Sequence, residues 1–89
     1  MSSKKPIIED LLFSLKQQRD ELRLQMHLAG KDAKDEWQVL EKRFEKLSSE
    51  FSDVKDSVGD STENIFTSLE LVAEEVKNGF SHIASALRK

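Results

Sequence analysis

Apolar residues recur at alternating intervals of three and four along almost the whole chain, the spacing that puts them on one face of an α-helix. The clearest run is Ala33, Trp37, Leu40, Phe44, Leu47, Phe51, Val54 and Val58. Ahead of it stand Ile8, Leu12, Leu15, Arg19, Leu22, Met26 and Ala29, and behind it Ile65, Leu69, Val72, Val76, Phe80, Ile83 and Leu87. An isolated helix of such a length is marginal in water, so these stripes must be stabilised by packing against one another. The chain is therefore expected to be all-α. A partial second stripe, Phe13, Leu24 and Leu28, widens the first apolar face beyond a two-stranded seam and calls for more than one helical neighbour.

Helix boundaries follow from the breakers. Pro6 suits a first-turn position, with Glu9 and Asp10 nearby to complement the positive end of the helix dipole, so a helix is predicted to start at residue 6 after a disordered 1–5. A turn is predicted across Val58 to Glu63, where Gly59 is placed to cap one helix and Asp60 and Glu63 stand at capping-box spacing for the next. The last helix then spans about 61–87. Gly79 should weaken its final third by roughly 1 kcal/mol relative to alanine.

Gly30 admits two readings. As a turn, with Asp32, Asp35 and Glu36 opening a new helix, it gives three segments of similar length and a monomeric three-helix bundle. Against a turn, Lys31 is a poor hydrophobic closer, no proline follows, and the stripe crosses the site with only a stutter at Met26, Ala29, Ala33 and Trp37. The second reading, which the tolerance of helices for a lone glycine favours, is one continuous helix over about 6–58 with a returning helix. Two such chains would form an antiparallel coiled-coil dimer, crossing at the small residues Ala29, Gly30 and Ala33 and exchanging halves of a helical bundle. Alanine at Gly30 would stabilise that long helix and destabilise a left-handed turn.

Composition adds limits. With 89 residues the chain is one small domain, 6–89, near the size where a single core barely suffices and association is a common remedy. Net charge is -3 with the signs mixed throughout, so no field gathers phosphates and nucleic acid is not an expected partner. Cysteine is absent, which excludes disulfides and thiolate metal sites. No signal-peptide core and no membrane-length apolar run is present, and a soluble cytoplasmic protein is expected.

Candidate chemistry is sparse. Neither His27, with Arg23 and Lys31 four residues away, nor His82, with Asn78 and Ala86, belongs to a metal-binding or acid–base constellation. No phosphate loop, nucleophile motif or catalytic carboxylate pair is found, so no enzymatic activity, cofactor or metal is expected. Arg19, on the core stripe, is expected to pack its stem and turn its head to an acidic group. Trp37, Phe44 and Phe51 occupy one heptad position in succession, and their bulk disfavours a parallel two-stranded zipper. The final helix is amphipathic enough to lie on a membrane, but its polar face carries Glu70, Glu74 and Glu75 against Lys77, which opposes anionic lipid.

The stretch ELRLQMHLAGKDAKDEWQVLEKRFEKL, Glu21 to Leu47, with EEVKNGFSHIASAL, Glu74 to Leu87, is similar to small, functionally uncharacterised bacterial helical proteins. That resemblance implies a bacterial origin and a helical architecture, with no catalytic motif to carry over. The expected function is a non-enzymatic coiled-coil interaction or scaffold protein, self-associating as a homodimer or binding another protein. A peripheral membrane or envelope-stress protein using the last helix is the alternative. The residues expected to carry packing and interface are Leu15, Arg19, Leu22, Met26, Ala29, Gly30, Ala33, Trp37, Leu40, Phe44, Leu47, Phe51, Leu69, Val76, Phe80 and Ile83.

Overall fold

The computed structural model describes residues 4–56 and 60–88, with the backbone alone at 60 and 61. Among the described residues three α-helices, α1 (Lys4–Gln25), α2 (Lys31–Val54) and α3 (Asp60–Leu87), carry the chain up, down and up again. A single 3-10 turn, Met26–Leu28, extends α1 towards the first connection. Glu41 on α2 meets Arg23 on α1, and Arg43 meets Glu75 on α3, as expected for antiparallel neighbours. Lys4 pairs with Glu70 near the start of α1 and Ala29 lies by Leu87 at the other end, so α1 and α3 run parallel. The result is a rod of 46 × 17 × 16 Å.

Each stripe supplies one side of the core. From α1 and its 3-10 extension come Ile8, Leu15, Leu22 and Met26, from α2 Trp37, Phe44, Leu47 and Phe51, and from α3 Phe66, Leu69, Ala73, Val76, Phe80 and Ile83. Leu12, Ala29, Ala33, Leu40, Val72 and Leu87 are partly buried around them. The aromatic series on α2 meets α3 ring by ring: Trp37 and Phe44 lie 5.4 and 6.4 Å from Phe80, and Phe51 lies 6.0 Å from Phe66. Such tilted ring pairs add to what area burial alone provides.

The expected continuous helix from 6 to 58 is not what forms. After the 3-10 turn, Ala29 and Gly30 both have extended backbone, at ψ 150 and 172, and α2 restarts with Gly30 as its N-cap. The Ala29 amide donates to the Met26 carbonyl at 3.1 Å and Lys34 to Gly30 at 3.0 Å, so the ends of both helices stay hydrogen-bonded through the break. Folding back lets α1 bury its stripe within its own chain, and closing so short a connection costs little entropy. Gly30 makes no left-handed turn, because its φ is −73. The missing hydrophobic closer at Lys31 is therefore irrelevant, since Gly30 begins α2 and does not cap α1.

This backbone yields a direct test. A φ of −73 suits proline, the preceding Ala29 is extended as a pre-proline residue should be, and a Cβ at position 30 meets nothing within 4 Å. Gly30→Pro is expected to keep the helical circular dichroism and to raise stability by up to about 1 kcal/mol. In a helix interior the same change costs about 2 kcal/mol. A steep fall in melting temperature would show that the helix runs through.

Two smaller corrections concern helix starts and phase. α1 begins at Lys4, not Pro6, because first-turn N–H groups need no helical acceptor and proline at the third position forfeits none. Lys4 is tied to Glu70 at 3.0 Å, so the expected disordered 1–5 does not hold for residues 4 and 5, while Glu9 and Asp10 fall beyond the first turn. Near the start of α3 the buried residue is Phe66 and not its neighbour Ile65, because Phe66 is the one that reaches Phe51. The expected cap through Val58, Gly59 and the Asp60 side chain lies outside the described residues.

Candidate functional site

The residues able to do chemistry do not converge. His27 donates through Nδ1 to the Leu24 carbonyl at 2.8 Å, tying its ring to the last turn of α1. His82 lies 3.8 Å from Glu36, bridging α3 and α2 at an exposed position. Among the described residues no group of three or more His, Asp and Glu side chains could hold a metal ion. No buried side-chain nitrogen or oxygen among them lacks a hydrogen-bond partner, so the interior offers no polar group waiting for a ligand.

Arg19 behaves as a boundary residue. Its guanidinium bonds Asp20 at 3.0 Å and stacks over the Phe44 ring at 5.1 Å from the centroid, which bridges α1 and α2 without burying a naked charge. One turn on, Arg23 grips Glu41 through Nε at 3.1 Å and through Nη2. The Glu41 hydrogen bond, then its charge, raise the Arg23 pKa above its ordinary value.

The other predicted packing residues divide by depth. Leu15, Leu22, Met26, Trp37, Phe44, Leu47, Phe51, Leu69, Val76, Phe80 and Ile83 are buried, and Ala29, Ala33 and Leu40 are partly so. Gly30 is exposed at the end of the rod. There it lines a hollow of ≈ 480 Å³ with Leu28, Glu36, His82 and Leu87, instead of a helix crossing. Gly79 is the packing residue that spacing alone does not reveal. A Cβ there would come within 2.9 Å of Leu40 Cδ1 and closer still to Cδ2, so α2 and α3 approach through the missing side chain.

The most exposed large apolar residues lie on α1 and its extension, while Val39 on α2 and Ile65 and Leu71 on α3 are exposed to a lesser degree. Phe13, Leu24 and Leu28 keep 65%, 77% and 75% of their surface in solvent, more than any other large hydrophobic residue described. Phe13 stands at the rim of an open groove of ≈ 530 Å³ between α1 and α2, whose lining includes Leu12, Lys16, Arg19, Phe44 and Phe51. The groove lies where α1 and α2, each packed closely on α3, pack much less on each other, with Arg19 over the Phe44 ring bridging them.

No helix among the described residues is long and apolar enough to cross a membrane. In the comparisons with known proteins, no family model matches the chain, and neither a curated protein nor a solved structure matches it.

Proposed function

We propose that this chain is a non-enzymatic helical interaction or scaffold protein of the cytoplasm that self-associates as a homodimer. The observation that carries the reading is the row of exposed Phe13, Leu24 and Leu28 on a bundle whose described catalytic-type side chains are scattered. Large apolar groups left in solvent on one helix of a small protein offer a surface that another protein can cover. Two arrangements give a dimer: exchange of helices between straightened chains, which needs residues 26–30 to become helical, and side-by-side association of intact bundles. The hairpin supports the second, because each chain already closes its own core.

Static light scattering tests the reading. Twice the 10.2 kDa chain mass is expected across the micromolar range, and a single-chain mass throughout that range would overturn self-association. Gly30→Pro separates the two arrangements, since it blocks straightening and leaves intact bundles free to pair. The membrane alternative draws no support from the fold, in which the apolar side of α3 is spent on α1 and α2.

A further inference from the structure

We infer that the dimer forms by antiparallel packing of α1 on α1 of a second copy, with each Phe13 entering the other copy's α1–α2 groove. The inference rests on the self-association proposed above and names its surface. A two-fold interface must carry both knob and hole on the same patch, because each copy presents the same face. Here the exposed Phe13 is the knob, and the groove beside it, floored by the nearly buried rings of Phe44 and Phe51, is the hole.

Charge sets the register. Lys5, Glu9, Leu12, Phe13, Lys16 and Asp20 share about 100° of the α1 surface, given about 100° per residue. A two-fold axis between Leu12 and Phe13 of two antiparallel helices pairs positions whose numbers are mirrored about that point. Glu9 then faces Lys16 of the second copy, and Lys5 faces Asp20, each twice over by symmetry. Every mirrored charged pair on this face is therefore of opposite sign. Glu9 and Lys16 form no ion pair with any described residue of their own chain, which leaves them for this contact, while Asp20 already accepts from Arg19 and adds less. A parallel pairing would instead set like charges side by side. The helices overlap over about 24 Å, a contact at the small end of stable interfaces, so micromolar affinity and weakening by salt are expected. Leu24 and Leu28 lie beyond this overlap.

Sedimentation equilibrium on the full chain and a set of variants tests the surface. Phe13→Glu is expected to give a monomer with the wild-type melting temperature of the bundle, since Phe13 is largely outside the core. Lys16→Glu should weaken dimerisation at least tenfold by setting two carboxylates against each other. Adding Glu9→Lys to it restores opposite signs and should recover most of that loss, a readout that does not depend on how Phe13→Glu folds. A wild-type monomer would overturn both this surface and self-association. A wild-type dimer indifferent to the Phe13 and charge changes, or one lost only when Leu24 or Leu28 is made Glu, would overturn this surface and leave self-association standing.

Discussion

Phe80→Glu is expected to unfold most of the protein. Phe80 is fully buried, and its ring sits between Trp37 and Phe44, so it joins α3 to two turns of α2 at once. Removing a buried aromatic ring costs about 3–5 kcal/mol through lost transfer energy and the cavity left behind. The new carboxyl adds to this whether it stays charged without a partner or takes up a proton without a hydrogen bond. Small domains hold only about 5–15 kcal/mol in all, and a chain of this length stands towards the lower end. Circular dichroism should therefore show most of the helix lost at room temperature. Phe80→Leu, which keeps an apolar group in place, should be folded and less stable than wild type. Wild type and Phe80→Glu together test the membrane alternative: wild type is expected not to sediment with anionic vesicles. Vesicle binding by wild type, lost in a Phe80→Glu protein that is still fully stable, would mean that α3 works at a lipid surface.

The aromatic ladder was legible in the sequence because Trp37, Phe44 and Phe51 recur at seven-residue spacing, and a helix with that stripe has one face to bury. Its partners were less so. Ile65 and Phe66 are adjacent and both apolar, so periodicity alone allowed either phase for α3, and the choice fell to Phe66 only because its ring can reach Phe51 across the interface. At Gly30 the sequence supported two backbones, because Met26, Ala29 and Ala33 face the core equally well from a straight helix or a hairpin. The difference resides in the ψ angles of Ala29 and Gly30, where no side-chain cap hydrogen bond marks the start of α2. The groove beside Phe13 was out of reach for a related reason. It depends on how far α1 and α2 stand apart, a distance set by α3 packing and by Arg19 over Phe44. The sequence placed Arg19 on the core stripe and anticipated its acidic contact, but not the ring it covers.

Gly79 gives the second large expected effect, and it runs against helix propensity. Leucine is a better helix former than glycine by about 1 kcal/mol, so on propensity alone Gly79→Leu would stabilise α3. The structure reverses the sign. The end of the Leu40 side chain occupies the space that a Cβ at position 79 would need, so a whole leucine there must displace Leu40 to another rotamer or part the two helices. Overpacking of this kind costs typically 1–3 kcal/mol for a few added atoms, and an entire side chain lies at the upper end. A net loss of about 2 kcal/mol corresponds to a melting temperature lower by roughly 8–16 °C in a domain of this size. The contact itself is isolated by the double variant. Leu40→Ala alone removes a partly buried leucine and should also destabilise, yet combined with Gly79→Leu it vacates the space the new side chain requires. The pair should thus be less destabilised than the sum of its parts by about 0.5–3 kcal/mol, the coupling range of residues in contact. Strict additivity, or a Gly79→Leu protein more stable than wild type, would mean that α2 and α3 do not meet at this point.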